Sequence, residues 1–179
     1  MERSKALRFW PVVAVVVLLD VATKAAAVRL LVPQRMPHDV IGDWVRFTLV
    51  YNPGAAFGLG QGFQYSRWIF LVLTLVALGI LGWLYRTADG GDRPRVLAIA
   101  LVAAGAIGNL IDRIRHDLGV VDFIDIGVGA ARWPTFNVAD IAVSCGATLL
   151  AWVLWHETPQ RADTAAPARR LSTDPAELT

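Results

Sequence analysis

Four apolar segments, each about as long as a bilayer is thick, constrain this 179-residue chain more than any other feature. They run over about 10–31, 67–85, 96–113 and 137–155. A helix rises only about 1.5 Å per residue, so roughly 20 apolar residues are needed to cross the hydrocarbon. Backbone amides find no water there, and an unbroken apolar run satisfies them by coiling into a helix. Composition agrees: the chain is 55% hydrophobic and 18% charged, whereas soluble domains average about 25% charged residues. The expected fold is an all-α membrane protein, a four-transmembrane-helix bundle. A small β-containing outer-loop subdomain over about 40–66 accompanies it, and residues 1–156 form a single membrane-embedded domain. Residues 157–179 are rich in Pro, Ala, Arg and Thr without periodicity and read as a disordered tail.

Arg3, Lys5 and Arg8 precede the first apolar segment, an arrangement shared with secretory signal peptides. Asp20 and Lys24 interrupt the segment and apolar residues resume at Leu30, so a retained first helix is expected. Basic residues also cluster at Arg86, Arg93 and Arg95 and in the tail at Arg161, Arg169 and Arg170. With four spans all three clusters fall on one side, which the positive-inside rule makes cytoplasmic. Both termini are then cytoplasmic, and the loops 32–66 and 114–135 lie outside. In the first of these, Val45, Phe47, Leu49 and Tyr51 alternate with Trp44, Arg46, Thr48 and Val50, the period of a strand. Asn52-Pro53-Gly54 reads as the turn that ends it. Trp44, Phe47, Tyr51, Phe57, Phe63 and Tyr65 suit a membrane–water interface.

Several chemistries are disfavoured. The net charge is +2 with scattered arginines, so nucleic acid is not an expected partner. The one cysteine, Cys145, allows neither an internal disulfide nor a cysteine zinc cluster. His38, His116 and His156 are isolated, Ser144 lacks a GxSxG context, and no glycine-rich phosphate loop occurs. What remains is carboxylate chemistry. All three glutamates, Glu2, Glu157 and Glu177, lie near the ends, so every acid in the apolar middle is an aspartate.

The stretch from Gly105 to Asp140 gathers those aspartates at the outer margin of the bilayer, where an ionisable group is costly enough to mark a functional site. Asp140 follows Asn137 by three residues at the start of the fourth span. Asn137 as N-cap with an acid at N3 explains the pair structurally and also favours negative charge there. Asp122 lies in the second outer loop among Val120, Val121, Phe123 and Ile124, a segment apolar enough to be partly buried. Two carboxylates held close together cannot both ionise easily, and such a pair can activate water with one member while the other protonates a carbonyl. Asn109, Asp112 and Arg113 share one side of the third helix, with Arg113 as the expected counter-charge of Asp112. Asp20, Thr23 and Lys24 share a face of the first, where an Asp20–Lys24 pair lowers the cost of both charges. Gly105 and Gly108 suit close helix packing. A divalent cation held by Asp112, Asp122, Asp125 and Asp140 is the weaker alternative, because Arg113 competes for those oxygens.

Five ordered motifs then carry a resemblance. Asp20-Val21-Ala22-Thr23-Lys24, Asn52-Pro53-Gly54-Ala55-Ala56-Phe57, Gly108-Asn109-Leu110-Ile111-Asp112-Arg113, Val121-Asp122-Phe123-Ile124-Asp125 and Phe136-Asn137-Val138-Ala139-Asp140 closely resemble the motif set of bacterial lipoprotein signal peptidase (signal peptidase II). The match covers about residues 10–155, and Ala104-Gly105 stands where that family usually has Gly-Gly. The resemblance implies an aspartyl protease of the bacterial inner membrane, its site facing the periplasm. It removes the signal peptide from diacylglyceryl-modified prolipoproteins just before the lipidated cysteine. By motif position Asp122 and Asp140 correspond to the catalytic pair. Asp20, Lys24, Asn52, Gly54, Asn109, Asp112, Arg113 and Asn137 correspond to supporting and substrate-facing residues. No metal or organic cofactor is implied; the partners are the prolipoprotein substrate and membrane lipid, and the protein is expected as a monomer. The rival reading is a small transporter or proton relay using Asp20, Lys24, Asp112 and Asp140, and a third is an assembly factor without activity.

Overall fold

The computed structural model describes residues 2–54 and 65–157. Among these residues four helices are long and apolar enough to cross a membrane: α1 (Glu2–Leu30), α2 (Ser66–Thr87), α3 (Arg93–Arg115) and α4 (Val138–Glu157). The third is the centre of the bundle. In its most apolar window 44% of residues are buried, against 6% for α2, which leaves nearly all of α2 to face lipid. Small residues explain that placement. Ala98, Ala100 and Ala104 of α3 are fully buried, Gly105 and Gly146 sit where α3 and α4 touch backbone to backbone, and Gly108 leaves room for the Asp20 side chain of α1. A Cβ at Gly105 would lie 2.3 Å from the Ala139 carbonyl oxygen, and one at Gly146 2.8 Å from that of Ala98. Helices in lipid gain nothing from hiding apolar surface from each other, so close approach through small residues is what holds them.

Helix α1 is already helical at Glu2, well ahead of its apolar run. Its early basic residues fasten the far end of the bundle. Lys5 Nζ donates to the Ala88 carbonyl (3.0 Å) and lies over the Tyr85 ring, while Arg8 donates to the Gly90 carbonyl (2.9 Å). Cations on the free carbonyls at the end of α2 satisfy groups that have no helical partner. Asp92 caps α3 by accepting from the Arg95 N–H (3.1 Å), with Pro94 in the first turn.

The β structure differs from expectation in extent. The period-two segment does form a strand, but the sheet is not confined to 40–66. Strands β1 (Pro37–Ile41), β2 (Val45–Asn52), β3 (Val120–Val128) and β4 (Ala131–Arg132) pair antiparallel in that order. The second outer loop thus supplies an inner strand, with Val50 opposite Asp122 and Tyr51 opposite Val121. A bulge between Phe47 and Val50 breaks the alternation, so that Thr48 and Leu49 are both buried. Gly119 (φ +102°) makes the turn into β3; a Cβ there would lie 2.2 Å from the Asn52 carbonyl oxygen, so only glycine lets the strands meet at that point.

Successive residues of β3 face opposite ways. Val121 and Phe123 pack with Leu49 onto Ala27 and Leu31 at the end of α1. Val120 and Asp122 line a cleft on the other side. The sheet is therefore a cap on the bundle whose inner strand presents an acid. Its rim is fastened by charge. Asp125 accepts from Thr48 Oγ1 (3.1 Å) and Arg132 Nε (2.8 Å), Arg132 also donates to the Asp43 carbonyl (2.6 Å), and Arg46 pairs with Asp39 and Asp43. Of the aromatics expected at an interface, Trp44 and Tyr65 are well exposed and Phe47 just so. Tyr51 is half-buried. Phe57 and Phe63 lie outside the described residues, as does the tail from 158 onward.

Candidate active site

The ends of α3 and α4 and the strands β2 and β3 meet around a cleft of about 640 Å³, lined by Asn52, Gly54, Asn109, Arg113, Asp122 and Asp140 among others. Asp122 and Asp140 both open into it, from β3 and from the first turn of α4. Each expected supporting residue also falls at or directly behind this cleft.

Asp140 is held as the sequence predicts. The Asn137 side-chain oxygen accepts from the Asp140 N–H (3.0 Å), and Asp140 Oδ2 accepts from the Asn137 N–H (3.1 Å), a reciprocal capping box. The other oxygen, Oδ1, accepts from Asn109 Nδ2 (2.8 Å). Two N–H donors and the positive end of a helix all stabilise negative charge on this carboxylate.

Asp122 is 2% exposed. Its oxygens accept from Asn137 Nδ2 (2.7 Å) and Asn52 Nδ2 (3.1 Å). Burial and the neighbouring Asp140 charge nevertheless push its carboxyl up to about 7, and these two hydrogen bonds pull the other way. Asn137 thus joins the two acids, capping the helix of one with its backbone and side-chain oxygen and bonding the other with its amide nitrogen. The two carboxylates differ in setting: Asp122 is buried on β3 between two asparagine amides, and Asp140 sits in the first turn of α4.

Behind the acids is a buried charge cluster. Lys24 Nζ is 2.8 Å from Asp20 Oδ2, 2.9 Å from Asp112 Oδ2 and 2.9 Å from Asn109 Oδ1. Asp20 also accepts from the Ala139 N–H (2.9 Å), and Asp112 from the Val121 N–H (3.1 Å). The expected Asp20–Lys24 pair is present. Arg113 is not the counter-charge of Asp112, and this corrects the sequence reading. Adjacent residues on a helix point about 100° apart, so Asp112 turns inward to Lys24 while Arg113 turns to the cleft. There Arg113 donates to the Asn109 carbonyl (3.2 Å) and the Gly54 carbonyl (3.2 Å). Gly54 in turn donates its N–H to Asn52 Oδ1 (3.1 Å), which points the Asn52 amide nitrogen at Asp122. Thr23 bonds back to the Leu19 and Asp20 carbonyls of its own helix and takes no part.

The four aspartates weighed as a cation site do not converge, since Asp112 is bonded to Lys24 and Asp125 to Arg132. Among the described residues no three His, Cys, Asp or Glu side chains form a group able to hold a metal ion. The sequence reading also missed the far wall of the cleft, formed by Trp133, Pro134, Thr135 and Phe136. Phe136 pairs with Ile124 backbone to backbone, which brings this segment over Asp122. The Trp-Pro pair next to a recognised motif was the available signal.

Membrane-length helices, a capping sheet and two carboxylates sharing one cleft have the build of a membrane-embedded acid–base hydrolase. Comparison with known proteins narrows this. The family model for signal peptidase (SPase) II matches residues 12–156. The lipoprotein signal peptidase of Desulforapulum autotrophicum is 40% identical over 164 residues, covering 89% of this chain and 99% of that protein. The one from Mycolicibacterium smegmatis is 44% identical over 145 residues, covering 78% of this chain and 57% of the relative. A bacterial membrane enzyme solved by the in meso method at 2.3 Å superposes with a TM-score of 0.72 at 31% identity, covering 83% of this chain and 87% of the other. The chain belongs to the signal peptidase II family, which makes it an aspartic protease.

Proposed function

We propose that Asp122 and Asp140 are the catalytic pair with which this enzyme removes signal peptides from prolipoproteins, and that residues 1–156 act as one peptidase domain. The observation that carries the assignment is the single cleft shared by both carboxylates, each bonded by asparagine amides from other elements. The transporter or relay reading has no support from the family. It also needs acids at several depths, whereas these gather at one end of the bundle.

Ionised Asp140 takes a proton from a water molecule as that water attacks the scissile carbonyl carbon. Protonated Asp122 gives its proton to the carbonyl oxygen, and a neutral gem-diol results. Asp140 then passes its proton to the leaving nitrogen while Asp122 recovers one from a hydroxyl, giving a carboxylic acid and an amine. The substrate is a diacylglyceryl-modified prolipoprotein cut just before its lipidated cysteine. Its apolar signal segment and acyl chains enter from the bilayer through the open side of the cleft. Asn52, Gly54 and Arg113 face the substrate, and Asp20, Lys24, Asn109, Asp112 and Asn137 support the acids. The enzyme acts as a monomer in the bacterial inner membrane, with both termini cytoplasmic and the cleft toward the periplasm.

Purified protein incubated with a lipidated precursor is expected to release the signal peptide, and failure to do so removes the assignment. The rate is expected to depend on pH in a way that reports Asp122. With its carboxyl raised to about 7, the required proton is present below that pH and lost above it. Thus kcat/KM falls about tenfold per pH unit on the alkaline side. Asn52→Ala removes a donor that favours the charged form, so this limb is expected to move to higher pH; movement to lower pH would contradict the proton assignment. For orientation, reporter fusions after Tyr65 and Val128 are expected outside and one after Asp89 inside. A cytoplasmic signal at Tyr65 overturns the topology.

A further inference from the structure

The Lys24 cluster has a directional logic that a simple charge-neutralising role does not require. A lysine ammonium has three N–H donors and no acceptor. Here it meets three acceptors: Asp20 Oδ2, Asp112 Oδ2 and Asn109 Oδ1. At 3% exposed it has no access to solvent worth the name. Two of the acceptors are anions whose other bonds fix them to backbone. Asp20 holds the N–H of Ala139, the residue before Asp140, and Asp112 holds the N–H of Val121, the residue before Asp122. The ammonium is therefore pinned relative to the chain that carries both acids.

Its third acceptor is the informative one. The two ends of an asparagine amide are nearly the same size, so neighbouring groups decide which way it points. Asn109 Oδ1 accepts from Lys24 (2.9 Å) and Asn137 Nδ2 (3.2 Å), and Nδ2 donates to Asp140 Oδ1 (2.8 Å). Reversal would set the NH₂ against an ammonium and a second NH₂, and the carbonyl against the Asp140 carboxylate. Asn137 alone holds the orientation weakly. Its two amide hydrogens are shared among Asn109, Asp122 (2.7 Å) and the Val121 carbonyl (3.3 Å), and the bond to Asp122 is the shortest. Lys24 has no such division.

We infer that Lys24 is a positioning residue for peptide cleavage: acting through Asn109, its ammonium fixes the direction of the amide and so aims an N–H donor at Asp140 Oδ1. This rests on Asp140 being a catalytic acid, and it adds how that carboxylate is kept oriented toward water and substrate. The role is distinct from binding, because Lys24 itself does not line the cleft and reaches Asp140 only through Asn109.

A double-mutant cycle tests it, run on purified full-length protein with a lipidated precursor. Lys24→Met is expected to lower kcat per folded molecule by about a hundredfold with KM changed less than about twofold. Asn109→Leu is expected to do the same, and the double variant to be no slower than Asn109→Leu alone. Losses that multiply, or an unchanged kcat in Lys24→Met, overturn the inference. If Lys24→Met is not recovered folded, Asp20→Asn/Lys24→Met removes a cation and an anion together and carries the same comparison. Loss of fold in both variants would make Lys24 a framework residue only and also overturn the inference. Asp122→Asn measured alongside separates this idea from the one beneath it. Cleavage by Asp122→Asn removes the carboxylate-pair mechanism itself, whereas full-rate Lys24→Met with inactive Asp122→Asn removes only the positioning role.

Discussion

Asp122→Asn and Asp140→Asn are each expected to lower signal-peptide release by at least about 10⁴-fold while the protein stays inserted and folded. Asparagine keeps the size and one carbonyl acceptor of the carboxylate but can neither give up nor take a proton. At position 122 its NH₂ faces one of the two amide donors now bonded to Asp122 (from Asn52 or Asn137), leaving that donor unsatisfied at about 1–3 kcal/mol. Part of that loss is offset, because a buried carboxylate no longer has to be kept out of water. At position 140 the capping box loses a charged acceptor but keeps a neutral one. Neither change breaks the Lys24 cluster. Activity should therefore vanish long before fold does. The double variant should be no slower than the slower single one, because the two acids act on one transition state. Cleavage assays beside thermal unfolding in detergent read both quantities. A correctly folded Asp122→Asn or Asp140→Asn protein that still cuts would end the carboxylate-pair mechanism.

Gly108→Val is expected to act the opposite way, removing the folded protein and with it everything else. A Cβ at Gly108 would lie 2.5 Å from Asp20 Oδ2 and 3.2 Å from the Ala139 Cβ. Asp20 is fully buried, and the Asp20 oxygen in the way is the one bonded to Lys24. It can move only by giving up that contact or by pulling on the Ala139 N–H. Separating a buried ion pair costs about 3–5 kcal/mol, and overpacking adds about 1–3 kcal/mol. The sum is comparable to the whole stability of an ordinary domain, roughly 5–15 kcal/mol. Gly79→Ala and Gly82→Ala on α2 are the controls, since a Cβ at either meets nothing within 4 Å. Yield and melting temperature of the three variants decide the matter; a Gly108→Val protein melting like the controls would show that the packing of α3 against Asp20 has room to give.

The parts of this molecule that were legible in the sequence are those whose physics is local. Each spanning helix declares itself in one long, predominantly apolar run. The Asn137–Asp140 capping box needs only a spacing of three, and the Asp20–Lys24 pair a spacing of four. What was hidden depends on chain segments far apart. Val120–Val128 reads as an apolar loop because its strand partner, β2, lies beyond two intervening helices. Asp112 and Arg113 look like mutual partners until helical geometry turns one toward the bundle interior and the other toward the cleft, and nothing near Asp112 announces Lys24 on α1. Asp125 looked available for a cation and instead anchors Arg132 and Thr48. Of the candidate site, then, the residues proposed for it could be picked out one by one, whereas the network joining them had to be seen.

The antiparallel pairing of β2 with β3 has a consequence for biogenesis. Asn52 donates to Asp122 across 70 residues of sequence, and α2 and α3 lie between them. Asn137, which joins the two acids, comes later still, and the first turn of α4 is held by Asp20 of α1. A nascent chain that has threaded only its first three helices into the bilayer therefore lacks Asp140 and also Asn137, the amide that joins the two acids. Loop closures over such distances are slow compared with local helix formation. With the proposed pair, proteolytic competence is thus postponed until the last helix is seated, and a stalled or truncated chain is expected to be inert toward precursors.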